Sequence, residues 1–187
     1  MTSIASNSGG HYSSVAVALH WIAAVLIVAN LLLGVAMVPL PLSIRKLHWY
    51  AWHKSIGTTV FVLTCLRLAW RLVRPAPPPV AMPAWQRRAA AASHTLLYVL
   101  LLIIPISGWL YSSSTGVQVV YLGLVPLPDL VAKDKALAAT LKAVHVTLNV
   151  GMVAVIALHT AAAMKHHFVD RDDVLARMWP RLKRRES

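Results

Sequence analysis

The stretch HVTLNVGMVAVIALH, residues 145–159, is an apolar run that begins and ends with histidine. In a helix with a rise of about 1.5 Å per residue, the two imidazoles lie roughly 21 Å apart along the axis. Fourteen steps of about 100° bring the second ring to within about 40° of the first, so both rings share one face. The stretch therefore predicts a helix that presents one imidazole near each end of an apolar segment.

The composition indicates which solvent surrounds such a helix. Of the 187 residues, 58% are hydrophobic and only 13% are charged, which is unlike an ordinary soluble domain. Each apolar stretch meets or exceeds the roughly 20 residues that a helix needs to cross a bilayer. We therefore predict an all-α membrane protein, a bundle of four transmembrane helices at residues 14–38, 49–73, 90–113 and 141–164.

The remaining segments are short. We expect an N-terminal segment at 1–13, one membrane domain at 14–180, and a basic tail at 181–187 that lies on anionic lipid. RPAPPPVAMP, residues 74–83, reads as a stiff connector between the second and third helices.

No Lys or Arg precedes the first apolar stretch, so we expect a retained helix instead of a signal peptide. Cys65 is the only cysteine, which excludes an intrachain disulfide.

Basic residues predict the orientation in the membrane. The second connector with its helix end, together with the C-terminal segment, carries twelve of them: Arg67, Arg71, Arg74, Arg87, Arg88, Lys165, Arg171, Arg177, Arg181, Lys183, Arg184 and Arg185. The opposite face carries six: Arg45, Lys46, Lys54, Lys133, Lys135 and Lys142. The positive-inside rule then predicts that both termini lie in the cytoplasm.

Four of the nine histidines form two pairs that match in depth. His20 and His159 each lie about six residues from the predicted cytoplasmic end of a helix, and His53 and His145 each lie about four residues from the other end. Neutral imidazoles on two facing helices are what a haem b needs as axial ligands. Ala24, Gly57 and Ala163 follow three of these histidines at i+4, which leaves room for a flat macrocycle.

Other interpretations of these histidines remain open. Any one of them can instead bond a neighbouring helix. Zinc and a proton relay fit less well, since no Cys, Asp or Glu lies at these depths. Arg67 and Arg71 lie one turn apart near the cytoplasmic end of the second helix, where haem propionates or lipid phosphates can pair with them.

Several motifs resemble the bacterial cytochrome b561 family. They are ALHW at 18–21, WHKSIG at 52–57, SHTLLY at 93–98, PISGWL at 105–110, the pair His145 and His159, and MKHHFVDRDDVLARMWP at 164–180. The resemblance implies a four-helix inner-membrane protein with two haems b. It also implies that His20 and His159 hold the cytoplasmic-side haem, and that His53 and His145 hold the periplasmic-side haem.

The resemblance further implies an oxidoreductase that oxidises superoxide and reduces ubiquinone. Six basic residues against Asp129 and Asp134 leave the periplasmic face positive, which would steer a small anion there, although ordinary solvated loop charges would look the same. His94 and His166 lie near the cytoplasmic end and can bind a quinone or deliver protons; His94 can alternatively contact a propionate, and His166 can be an interfacial residue.

Two other functions stay open at this stage. One is a haem-bearing membrane anchor that passes electrons between the quinone pool and a separate redox partner. The other is a bundle without haem. For either haem protein we expect the lipid bilayer and ubiquinone as partners, superoxide as the donor of the enzyme, and no nucleic acid.

Overall fold

The computed structural model describes residues 11–179, so the tail predicted at 181–187 and most of the segment predicted at 1–13 lie outside the described residues. It confirms the predicted four-helix membrane fold. The helices are α1 (Ser14–Met37), α2 (Ile44–Val73), α3 (Ala84–Thr115) and α4 (Lys135–Lys165), and each is long and apolar enough to span a membrane. A hairpin of two short antiparallel strands, β1 (Val120–Tyr121) and β2 (Val125–Pro126), joins α3 to α4, and a π-helical turn (His166–Asp170) follows α4.

Polar caps set the helix ends, and three helices extend beyond the apolar stretches. The Ser43 hydroxyl accepts a bond from the Lys46 amide and starts α2, and the Asp134 carboxylate accepts from the amides of Ala136 and Leu137 at the start of α4. Gly116 ends α3 in the left-handed conformation, with φ 75°. Hydropathy marks only the part of each helix that lies in hydrocarbon, whereas the caps continue the helices into the interface.

The bundle buries little and turns apolar side chains outward. Val60, Leu100, Leu101 and Met152 form its buried core, contributed by α2, α3 and α4. Large apolar side chains such as Leu32 are more than half exposed along the outer faces of the helices. Such surfaces are stable in lipid, where they contact acyl chains.

The packing of the helices leaves one open seam. Among the described residues, α1 packs along α2, α2 along α3, and α3 along α4, whereas α4 makes no comparable contact with α1 or α2. We call the end that holds the α1–α2 and α3–α4 connections the loop end. The opposite end, with residues 74–83 and the segment after α4, is the terminal end.

Candidate functional site

Helix α4 carries one imidazole at each end of this seam. His145 lies toward the loop end and faces His53 of α2, and His159 lies toward the terminal end and faces His20 of α1. Both facing pairs join helices that do not pack closely on each other. Space for a group inserted between the helices therefore lies where the imidazoles are.

The ring separations suit a single metal ion between each pair. The ring centroids of His53 and His145 are 6.3 Å apart, and those of His20 and His159 are 6.5 Å apart. Two imidazoles that bind one ion from opposite sides have centroids about 6 Å apart, because each metal–nitrogen bond is about 2.0–2.1 Å. Both separations therefore fit a bis-imidazole iron centre.

Hydrogen bonds fix the loop-end imidazoles in the tautomer that a metal ligand needs. His53 Nδ1 lies 3.3 Å from the Asn30 carbonyl, which can only accept, so Nδ1 carries the proton. His145 Nδ1 lies 2.9 Å from the Ser107 hydroxyl, and that hydroxyl already donates to the Ile104 carbonyl at 2.7 Å. It therefore accepts from His145 Nδ1. In both rings Nε2 keeps its lone pair for a ligand.

Glycines from the neighbouring helices make room for the same two rings. A Cβ atom added at Gly108 would lie 2.9 Å from His145 Cε1, and one at Gly34 would lie 3.2 Å from His53 Cε1. Neither glycine lies at i+4 of a histidine, the spacing at which small residues were predicted to make room. Gly57, which does lie at i+4 of His53, faces the Asn30 amide instead of an imidazole. The sequence signal that could have identified both positions is a glycine inside an apolar helix.

A cavity of about 600 Å³ opens beside the loop-end pair. Both imidazoles line it, together with Gly57, Gly108 and many apolar side chains. The side-chain oxygen of Asn30 also lines it, and is buried without a hydrogen-bond partner among residues 11–179. A large, flat and mostly apolar group with a few polar atoms fits such walls.

Three imidazoles meet at the terminal end. His94 of α3 joins the pair predicted from the sequence, with its ring centroid 5.3 Å from that of His159. His20 Nδ1 is buried and has no partner within residues 11–179, whereas the His94 side chain is exposed. His94 is thus the member of this cluster that a molecule from outside the bundle can reach.

The two arginines of α2 lie beside this cluster. Arg67 is half-buried, and its guanidinium carbon lies 5.5 Å from the centre of the Tyr98 ring, in cation–π range. Its charge acts on His20, His94 and His159, and that of Arg71 acts on His94. No carboxylate among residues 11–179 lies within 4.0 Å of either guanidinium. Anionic groups of another molecule can pair with them.

His166, the remaining predicted site residue, has partners in its own segment. It starts the π-helical turn, and its Nδ1 lies 2.6 Å from Asp172 Oδ2 and 3.3 Å from Asp170 Oδ2. Residues 171–179, which we call the C-terminal strap, contact α1. There the Trp21 indole donates to the Met178 carbonyl at 2.8 Å. Because the Trp21 and His20 rings are 5.2 Å apart, the strap approaches the terminal-end cluster.

Comparisons with known proteins identify the family of this chain. The profile of the family described as "Prokaryotic cytochrome b561" matches residues 11–181. The chain is 34% identical over 183 residues to "Cytochrome b561 homolog 2" of Escherichia coli (strain K12), covering 92% of this chain and 93% of that protein. It is 36% identical over 136 residues to "Cytochrome b561 homolog 1" of the same strain, covering 70% and 74%. It is also 30% identical over 176 residues to "Probable superoxide oxidase CybB" of Yersinia pestis, covering 91% and 96%.

The resemblance noted in the sequence is thereby confirmed. Four spanning helices, paired imidazoles and a match over nearly the whole described chain agree on one assignment. The chain belongs to the prokaryotic cytochrome b561 family of multi-pass inner-membrane electron-transfer proteins, whose cofactor is haem b.

Proposed function

We propose that the protein holds two haems b, one at each end of the seam. His53 and His145 are the axial ligands at the loop end, and His20 and His159 are those at the terminal end. The observation that carries this proposal is the pair of similar imidazole separations, 6.3 and 6.5 Å, at two levels of one bundle. Each haem, when bound, supplies a one-electron acceptor and donor.

Residue chemistry at the terminal end supports the propionate assignment. Arg67 and Arg71 provide two cations beside the three imidazoles, and no described carboxylate neutralises them. Arg67 is half-buried and Arg71 is exposed. An unpaired charge at membrane depth is costly, and propionate carboxylates would offset that cost. We therefore assign these guanidiniums to the haem propionates at the terminal end.

We propose that the reaction is oxidation of superoxide with ubiquinone as acceptor. Two superoxide anions each lose one electron and leave as O₂, and one ubiquinone takes up both electrons and two protons to become ubiquinol. None of these steps requires a nucleophile. The name of the relative from Yersinia pestis, "Probable superoxide oxidase CybB", supports the donor.

The orientation follows from the distribution of charge. Basic residues are more numerous at the terminal end, which supports a cytoplasmic terminal end and a periplasmic loop end. The loop end still carries six basic residues against Asp129 and Asp134, so its field attracts a small anion. Superoxide is then oxidised on the periplasmic side.

The quinone belongs to the opposite end in this scheme. His94 is exposed and its ring lies beside that of His159, so a quinone carbonyl docked on it would be close to the terminal-end haem. His166 is held by Asp172, and this imidazole–carboxylate pair can supply the protons that quinone reduction consumes. We assign the quinone site to the region between these two imidazoles.

One experiment tests the proposed function. The purified protein is supplied with superoxide and a soluble ubiquinone, and quinol formation is followed in the ultraviolet together with haem per chain in the visible spectrum. We expect two low-spin haems b and catalytic quinol formation that slows as ionic strength rises. Quinol formation only after addition of a separate redox protein would instead identify a membrane anchor, and a colourless preparation would refute both.

A further inference from the structure

Lys54 differs from the other basic residues at the loop end. It follows His53 directly in α2, and all six of these basic residues lie within the described part of the chain. Lys54 is the one of the six whose side chain lines the cavity of about 600 Å³ that holds the two loop-end imidazoles. Its side chain is half-buried, whereas Arg45, Lys133, Lys135 and Lys142 are exposed.

The contacts of Lys54 are to backbone carbonyls, and the charge of Asp129 acts on its ammonium from a longer distance. Its Nζ donates to the carbonyls of Val117 and Gln118, at 3.2 and 3.5 Å. Carbonyl oxygens carry no net charge, and no carboxylate among residues 11–179 lies within 4.0 Å of the ammonium. An ammonium has three N–H donors, so two bonds to carbonyls leave one donor, and a charge that Asp129 offsets only from a distance, for another partner.

The chemistry of the surroundings selects what that partner can be. The bonds from Nζ to the two carbonyls are exposed, so a molecule from outside the bundle can reach the ammonium beside the largely apolar cavity wall. One cation suits one negative charge, and the cavity itself is the space assigned to the loop-end haem. We propose that Lys54 binds a small monovalent anion at the edge of the cavity, and that in turnover this anion is superoxide.

Binding of superoxide at Lys54 rests on the proposed function, whereas binding of a small anion does not. Superoxide bound there would lose one electron, keep its oxygen–oxygen bond, and become neutral O₂; the haem that His53 and His145 would hold supplies the one-electron acceptor. No proton is taken up or released. Because O₂ carries no charge, the ion pair with Lys54 is lost in the same step and the product leaves.

Lys46 provides a matched control on the same helix. Its Nζ also donates to two backbone carbonyls, those of Val38 and Leu40 at 3.2 and 2.5 Å, but its side chain does not line the cavity. Lys46→Met and Lys54→Met therefore remove the same charge from the same end of the protein. General steering by the positive face predicts similar effects of the two substitutions, whereas a binding site at Lys54 predicts very different ones.

The test uses the haem-loaded protein and two measurements. Binding of azide, a small monoanion, is followed by the infrared band of the bound ion, with an unchanged visible spectrum showing that it does not bind iron. The second-order rate of oxidation of superoxide is measured by stopped flow. We expect Lys54→Met to weaken azide binding and slow the reaction by about 10- to 100-fold, as loss of a charge-assisted hydrogen bond would. Lys46→Met should stay within about threefold of the unsubstituted protein, since distant surface charges contribute little. Lys54→Arg keeps a positive charge at the site and should bind azide more tightly than Lys54→Met.

Haem content is measured on every variant. If Lys54→Met does not retain haem, Lys54→Gln replaces it in the azide-binding test. This variant keeps donors for the two carbonyls and removes the charge. Azide binding that is equal in Lys54→Gln and in the unsubstituted protein, or equal slowing by Lys54→Met and Lys46→Met, would overturn the site. Azide binding that depends on Lys54 in a protein unable to oxidise superoxide would support the site and refute the proposed function.

Discussion

Gly108→Ala tests directly whether His145 is an axial ligand. The added Cβ would lie 2.9 Å from His145 Cε1 and 3.3 Å from its Nδ1, inside ordinary van der Waals contact. Restoring a contact of 3.4 Å requires Cε1 to move by about 0.5 Å. Metal–ligand distances tolerate only about 0.2 Å, and overpacking of this kind costs about 1–3 kcal/mol. We therefore expect haem at the loop end to bind roughly 5- to 150-fold more weakly.

The assay measures the number of haems per chain, the reduced-minus-oxidised spectrum, and the potential of each haem by redox titration. Gly151→Ala is the control, because an added Cβ there meets nothing within 4 Å while the change in helix propensity is the same. Gly108→Ala should approach one haem per chain and keep the terminal-end signal, which also reports that the bundle is folded. If the two variants have identical haem content and potentials, His145 does not bind iron in the geometry described.

Three further predictions concern contacts of the same imidazoles and of the strap. Gly34→Ala brings a Cβ to 3.2 Å from His53 Cε1, so we expect a shift in the loop-end haem potential with both haems retained, measured by redox titration; complete loss of that haem would contradict the milder contact. Ser107→Ala removes the acceptor for His145 Nδ1, and transfer of haem to apomyoglobin should become about 10- to 100-fold faster, as for other substitutions of groups that orient metal ligands. An unchanged transfer rate would show that this hydrogen bond does not orient the ring. Asp172→Asn removes the carboxylate that holds the first imidazole of the π-helical turn, so amide hydrogen exchange in residues 171–179 should accelerate while both haems stay bound; protection equal to that of the unsubstituted protein would show that other contacts hold the strap.

The fold could be read from the sequence because a membrane imposes a strict rule. Apolar runs of about 20 residues have few alternatives in a bilayer, so four runs imply four helices. Depth along a helix also follows from counting residues, and this is why His145 and His159 could be matched to partners on other helices. The polar ends of the helices were not evident, since Ser43 and Asp134 continue α2 and α4 beyond the hydrocarbon.

Contacts that depend on rotation and packing could not be predicted. Depth counting gives the level of a residue but not the direction of its side chain, so it did not reveal that His94 lies against His159. The closeness of Gly108 to His145 depends on how α3 packs on α4. The position of Lys54 Nζ depends on the connection after α3, whose short polar and apolar segments have no strong periodicity. These contacts are set by tertiary structure between residues far apart in the chain.

The open seam has a consequence for how the protein is assembled. The first helical hairpin contributes His20 and His53, the second contributes His145 and His159, and each proposed haem takes one ligand from either half. On this proposal, neither half of the chain would retain a haem alone, and nascent chains would stay colourless until the last helix had been inserted. Two ligated irons would act as crosslinks between halves that otherwise meet mainly through α2 and α3. Visible colour is then a direct measure of how many molecules have completed their membrane assembly.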